Sequence, residues 1–420
     1  MSVDRLLGLA ATLPSPFVLL EDGRASGTTH LVWGARRRWR RPWPERAPAP
    51  LELPAGRWYG SIAYEQGLPG LLRPAAPVVA QPGCDCFEPA NHIVLRSDGT
   101  PPACEGPEAA ARWRSADELE MPSAIDLADQ TIAPGEPWRS FDAGSFTSAV
   151  LRAQELIAAG DIYQVNLSVA ERWPLATRPW EAYLRLRALN PSPWMGYADF
   201  GDWQLVCGSP ELLVELEPAN GALGGAGRLR TRPIAGTRKK TGDPDRDVRM
   251  RAELRLDEKE RAEHVMLLDL ARNDTGRVAE FGSVVVAERE AVEEYSHVFH
   301  LVSEVQGDLR AGFGAADVIA SYFPGGTITG CPKIRAMEII HELEPVARGA
   351  YTGALGWVAP DALQLNIVIR SAVVSGGEVA IQAGAGVVAD SIPEREWRES
   401  LRKAAAVRAA FGFETPGQGG

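Results

Sequence analysis

The chain is short of the residues that mark many enzyme classes. Its 420 residues hold five cysteines and six histidines. No Cys-x-x-Cys pair, His-Glu-x-x-His helix or Gly-x-Ser-x-Gly elbow occurs. That removes dithiol redox chemistry, zinc peptidases and serine hydrolases built on a nucleophile elbow. Cys84 and Cys86 stand one residue apart, too close for a zinc knuckle, and no His pair follows them. Such a sparse, odd set reads as reduced thiols in a cytoplasmic protein. Long apolar runs are also missing. Leu6 to Leu20 is broken by Pro14 and Pro16, and no small-residue cleavage pattern follows. Nothing approaches the roughly 18 apolar residues that cross a bilayer. The expectation is a cytoplasmic protein with no membrane role.

Positive charge is scarce too. Lys and Arg total 44 against 55 Asp and Glu, a net charge of −11. A nucleic-acid groove needs a dominant basic surface, so nucleic acid is not expected as a partner. A small anion remains possible, because a few well-placed cations hold one. The basic, Pro- and Trp-bearing run at 36–50 has no binding module around it and reads as a solvated loop or sheet edge. With 45% hydrophobic and 24% charged residues, the composition is that of a globular protein. The length suits one large domain or two to three smaller ones.

The Pro-, Ala- and Glu-rich stretch 100–139 holds one short helix near Glu108 to Arg114 and reads as a linker. It divides an N-terminal region, 1–140, from a second region, 141–413. In the second, Ser145 is placed to cap a helix that Gly160 stops. One long helix is expected over Asp247 to Arg272, and others over Lys333 to Leu343 and Pro393 to Phe411. Strands are expected at Val165 to Ala170, Trp203 to Cys207, Leu212 to Leu216, Ala354 to Val358, Leu365 to Val374 and Val379 to Val388. The Gly/Ala-rich 220–227 reads as a hairpin loop, and the last residues, Pro416 to Gly420, as a frayed end. Long helices mixed with hairpin-linked strands indicate an α+β fold.

Two helices carry acids three residues apart: Glu260 with Glu263, and Glu396 with Glu399. Each pair projects from one helix face. Brought together, they would form an all-oxygen site suited to Mg²⁺; spacing alone favours a solvated face. Gly325 to Lys333 has the glycine spacing of a phosphate loop, but Cys331-Pro332 displaces the lysine. As a loop opening a helix it would suit a carboxylate. His300 reads either as a satisfied core histidine or as an acid–base group. Arg370 closes an apolar run, so a carboxylate from protein or substrate is expected against it.

Ten segments in order then resemble the chorismate-utilising enzymes. They include Gly160-Asp-Ile-Tyr-Gln-Val-Asn-Leu-Ser168, Pro191-Ser-Pro-Trp194, Gly208-Ser-Pro-Glu211, Arg232-Pro-Ile-Ala-Gly-Thr237, Phe323-Pro-Gly-Gly-Thr-Ile-Thr-Gly-Cys-Pro-Lys333, Asn366-Ile-Val-Ile-Arg370 and Gln382-Ala-Gly-Ala-Gly386. The resemblance covers 145–410. It implies two packed β-sheets with outer helices and an active site in the cleft between them. It places Mg²⁺ on Glu263 and Glu399, supported by Glu260 and Glu396. Substrate contacts would come from Ala235, Gly236, Thr237, Tyr351, Arg370, Gly384, Gly386 and Lys403. Glu211 resembles the general acid at the C4 hydroxyl, and His300 the histidine that assists proton transfer. Leu19-Leu20-Glu21 resembles part of a tryptophan-binding motif, with Asp22 where Ser is usual.

Two positions separate members of the group. Water-using isochorismate and salicylate synthases resemble one another in a Lys where this chain has Gln164, and an amide cannot deprotonate water. Gln164 therefore favours ammonia as the nucleophile. At the second position, Ala235 resembles anthranilate synthases, whereas many aminodeoxychorismate synthases carry a covalent Lys. Pro324-Gly-Gly-Thr and the compact length resemble the aminodeoxychorismate type. Component I of aminodeoxychorismate synthase is the favoured reading, with anthranilate synthase component I as the alternative. No glutaminase segment is visible, so ammonia is expected from solution or from a separate glutamine amidotransferase subunit (component II).

Overall fold

The computed structural model describes residues 3–24, 27–42, 53–68, 75–116, 136–218, 227–295 and 298–413. Within them the β-branched and aromatic runs form antiparallel strands that pair in one continuous ribbon. It runs from Val285–Glu294 through Val298–Asp308, Arg228–Thr231, Leu212–Glu217, Ala362–Ile367 and Ala354–Ala359 to Trp58–Ile62. Cys84–Arg96 and the long strand Thr28–Arg41 continue it. It then passes through Phe17–Leu20, Trp194–Asp199, Trp203–Ser209, Ser371–Ser375 and Glu378–Val387 to Gln164–Pro174.

The ribbon doubles over on itself. Val18, Val32, Tyr59, Phe87, Leu205, Leu355, Val368 and Val373, from both halves, form one buried cluster, the inside of a two-sheet sandwich. Helices cover the outer faces. Val3–Ala10, Pro179–Leu189 and Pro393–Ala410 lie on one sheet, around Trp33, Trp173 and Ile381. Ala315–Tyr322 covers the other, around Leu216, Leu363 and Leu365. Ala143–Ala158 and Lys333–Leu343 pack on Val165, Leu167 and Val169. The fold is α+β, as the mix of long helices and hairpins indicated.

Several local expectations need correction. Asp142, not Ser145, caps the helix Ala143–Ala158. Its carboxylate accepts from the Ser145 amide at 2.7 Å, and the Ser145 hydroxyl accepts in return from the Asp142 amide. The reciprocal pair is a capping box in which Ser145 is the third helical residue. The helix expected over Asp247 to Arg272 is two, Pro244–Leu256 and Glu258–Val278, because Asp257 is extended. The strand expected over Leu365 to Val374 divides at Arg370, whose φ is +51°. The short helix expected near Glu108 to Arg114 is present as Ala109–Ser115, whereas the strand Ala103–Glu105 is an added ordered element within the proposed linker, whose residues 117–135 lie outside the described set. The 219–226 loop and Pro416 to Gly420 lie outside it as well; the strands flanking that loop pair as a hairpin.

The basic run also resolves partly. Residues 36–41 end the long strand Thr28–Arg41, where among the described residues it pairs on one side only, and Arg37, Arg38 and Arg40 pair with Glu88, Asp85 and Asp202. Positions 43–50 are outside the described residues. All five cysteines are free thiols. Among the described residues no helix is long and apolar enough to cross a membrane.

The capping box can be tested directly. Asp142→Ala should lower unfolding stability by about 1 kcal/mol in a denaturant titration, because the Ser145 amide loses its acceptor.

Candidate functional site

Two chain segments pass from one sheet to the other, and both deliver a charged side chain to the same place. Ser209 ends one strand and Leu212 begins the next, with Glu211 between them. Ile367 ends a strand and Ser371 begins another, with Arg370 between them. The crossings are tied backbone to backbone: the Gly208 amide donates to the Arg370 carbonyl and the Ile367 amide to the Glu211 carbonyl, each at 3.1 Å.

A cavity of about 360 Å³ opens at this point. It is lined by every position proposed from the sequence: Gln164, Glu211, Ala235, Gly236, Thr237, Glu260, Glu263, His300, Tyr351, Arg370, Gly384, Gly386, Glu396, Glu399 and Lys403. The strand pairing explains the convergence. Gly384 and Gly386 lie opposite Ser168 and Asn166, one strand over, and Thr237 lies opposite His300. Gly236 forms the bulge between Ala235 and Thr237 with φ +69°, and a Cβ there would press on Leu254 and Glu260. At Gly384 a Cβ would meet the Leu167 carbonyl at 2.5 Å, so only glycine lets that wall close.

The electrostatics are divided by depth. Glu211 is buried, and desolvation pushes its carboxyl up to about 7. The Thr327 hydroxyl, the Ile234 amide and the charges of Arg370 and Lys403 oppose that shift without cancelling it. His300 is buried, and desolvation together with the Arg370 charge lowers it to about 4. Its Nδ1 lies 3.2 Å from the Gly236 carbonyl, which accepts a hydrogen bond from an Nδ1–H and so leaves the Nε2 lone pair available. His300 Nε2 has no hydrogen-bond partner among the described residues. Among the described residues no carboxylate stands within ion-pair distance of the Arg370 guanidinium, and burial lowers its pKa.

The acidic side of the cavity comes from two helices. Glu260 and Glu263 lie on Glu258–Val278, and Glu396 and Glu399 on Pro393–Ala410. Glu263 accepts from the Gln164 amide at 2.6 Å, Glu260 from Arg238 at 3.0 Å, and Glu399 pairs with Lys403 at 2.9 Å. No three acidic, His or Cys groups among the described residues converge enough to enclose a metal ion. An all-carboxylate donor set of that looseness fits Mg²⁺, which takes one or two carboxylates and completes its shell with water and ligand oxygens.

Other expectations changed. The helix opening at Lys333 does not face the cavity. Lys333 is buried against Asp274 at 2.7 Å and donates to the Ser321 and Tyr322 carbonyls. Thr327 and Ile328, earlier in the same loop, line the site instead. Asn166, Leu267, Ile369 and Arg402 also line it, and Tyr295 packs edge-on against His300 at 5.1 Å. Asn166 and Thr327 lie inside quoted motifs, but nothing in their spacing marked them. A second cavity, about 600 Å³, adjoins the first across Pro210 and Ile234. Its cations are already paired: Arg24 with Asp22, Arg232 with Glu293. It lacks the combination of neutral acid, neutral histidine and unpaired arginine.

The cavity combines a buried carboxyl, a buried histidine and a buried arginine with a group of carboxylates at one side. Comparison with known proteins makes this specific. The model of the chorismate binding enzyme family matches residues 32–409. The chain belongs to that family. Aminodeoxychorismate synthase component 1 of Bacillus subtilis is 52% identical over 261 residues, 62% of this chain and 54% of that protein. Anthranilate synthase component 1 of Aquifex aeolicus is 49% identical over 276 residues, 65% of this chain and 54% of that protein. The matches therefore span about half the length of these relatives. The crystal structure of anthranilate synthase component I from Streptococcus pneumoniae superposes with a TM-score of 0.74 at 27% identity, covering 94% of this chain and 93% of that one. The isochorismate synthase MenF of Escherichia coli, at 21% identity and TM-score 0.75 over 97% of this chain and 91% of that one, shares the fold.

The state of Glu211 is measurable. A carboxyl-carbon NMR titration should place its midpoint near 7. A midpoint in the ordinary carboxylate range would sink the desolvation argument.

Proposed function

We propose that the chain is a chorismate-aminating synthase of the aminodeoxychorismate component I type. It would join ammonia to C4 of chorismate and release the C4 hydroxyl as water. The observation that carries this reading is the closeness of Glu211, a carboxyl near pKa 7, to an Arg370 that forms no ion pair among the described residues. A departing hydroxyl needs a proton, and Glu211 can hold one at neutral pH. A carboxylate of the substrate would answer Arg370, with Tyr351 and the Gly384–Gly386 backbone beside it. His300, neutral across the working range, can accept a proton at Nε2.

Gln164 supports ammonia over water as nucleophile, because its amide offers no base and is engaged with Glu263. Mg²⁺, when bound, would neutralise the ring carboxylate, which the acidic side of the cavity would otherwise repel. Glu263 and Glu399 would hold it, with Glu260 and Glu396 in support. The curated relatives are named as first components. A separate glutamine amidotransferase subunit is accordingly proposed as the source of ammonia.

Amination at C2 with loss of pyruvate, the anthranilate reaction, is the second reading. One observation favours it: Ala235 lines the cavity where a covalent lysine would stand, and Lys403 is the only lysine among the described lining residues. Identities of 52% and 49% to the two kinds of relative do not discriminate. The loop Pro324-Gly-Gly-Thr supports the C4 reading.

A product assay with chorismate, Mg²⁺ and an ammonium salt decides between them. 4-Aminobenzoate that appears only with added aminodeoxychorismate lyase is the expected result. Anthranilate formed without lyase would establish the second reading, and isochorismate would defeat the argument from Gln164. Glu211→Gln should lower kcat by about 10²–10⁴-fold. The general acid works protonated, so kcat/KM per unit of free ammonia should fall as pH rises through about 7. A flat profile to pH 9 would remove Glu211 from that role.

A further inference from the structure

Behind the cavity, and lining none of it, lies Arg348. It is 3% exposed and its ion-pair partner Glu344 is 7% exposed. All five of its N–H donors are used. Nε and one Nη2 hydrogen go to Glu344 at 2.9 and 2.7 Å. Nη2 also donates to the Asn166 carbonyl at 2.7 Å. Nη1 donates to the Ile328 carbonyl at 2.7 Å and to the Thr352 hydroxyl at 3.4 Å. The guanidinium sits 5.8 Å from the ring centre of Tyr351 and 4.9 Å from that of Tyr64. Glu344 Oε1 accepts in addition from the amide and hydroxyl of Ser168, and that hydroxyl accepts from Gln382.

These partners are not scattered. Asn166, Ile328 and Tyr351 line the cavity, and Gln382 is two residues from Gly384 on the same strand. Four separate wall segments therefore meet on one buried ion pair. The pair is held from the N-terminal part of the chain: Glu65 accepts from the Arg348 and Gly349 amides at 2.7 and 3.0 Å.

We infer that Arg348, clamped by Glu344, is a positioning residue that sets the spacing of the substrate-binding walls. This rests on the proposed chorismate reaction. Lysine at this position could keep the charge against Glu344, but its three donors on a point charge cannot reach Glu344, Asn166 and Ile328 in one plane. The walls would then lose their common reference, and misplacement of this kind costs rate without any loss of a group that touches substrate.

The test compares the native protein with Arg348→Lys, at a temperature where circular dichroism shows both fully folded. kcat/KM for chorismate should fall about 100-fold, mainly through KM. The loss should shrink in a Tyr351→Phe background, because part of it acts by placing the Tyr351 hydroxyl in the cavity. Native kcat and KM in a folded variant, or full additivity with Tyr351→Phe, would overturn the inference and leave Arg348 a structural residue only. Should Arg348→Lys fail to fold, Glu344→Gln, which keeps the shape and removes the charge, carries the same comparison. The product made by the native protein tests the function, and the variant-to-native ratio tests the clamp, so the two can fail separately.

Discussion

The site depends on a pair of backbone crossings. Residues 209–212 and 367–371 each leave one sheet for the other, and their hydrogen bonds hold the crossings together. The geometry forces Arg370 into the left-handed region, φ +51°, at a cost of about 1–2 kcal/mol for a residue with a Cβ. The surrounding strands fix that conformation, and in return a cation and a carboxyl are set side by side without neutralising each other. Placed on a freer loop, the same two side chains would close into an ion pair, and both the acid and the anion receptor would be lost.

The charge pattern of the cavity follows from depth. At the bottom, burial keeps Glu211 near neutral and His300 uncharged. Nearer the helices, Glu260, Glu263 and Glu399 are half-buried and engaged with Arg238, Gln164 and Lys403. A net charge of −11 across the chain therefore coexists with a cavity lined by Arg370 and Lys403, because a few cations in a concave, poorly hydrated place outweigh distant surface acids. Behind the walls, the Arg348–Glu344 pair spends its charge on carbonyls and hydroxyls of several segments, and keeps it out of the cavity.

Much of this was legible in the residues. The order of the motifs from Gly160 to Gly386 and the i,i+3 acids on two helices marked the proposed site positions other than Tyr351 and Lys403, which only the family resemblance supplied, and all of them line one cavity. What escaped notice did so for physical reasons. Thr327 and Asn166 act through contacts across the fold, which leave no periodic trace. Asp257 and Arg370 interrupt a helix and a strand in which local propensity gives no warning. Asp142 displaced Ser145 as the cap because both suit the N-terminus and only the chain path shows which one is extended.

Composition and pattern were enough for an acidic α+β protein with paired carboxylates and the chorismate-enzyme motifs, since these depend on residue types and short spacings. The protonation of Glu211, the open Nε2 of His300, the unpaired Arg370 and the clamp at Arg348 belong to the tertiary structure. Each depends on desolvation and on neighbours brought from distant parts of the chain. A carboxyl pKa or an arginine without a counter-ion is a property of surroundings, and those exist only once the two sheets have closed on each other.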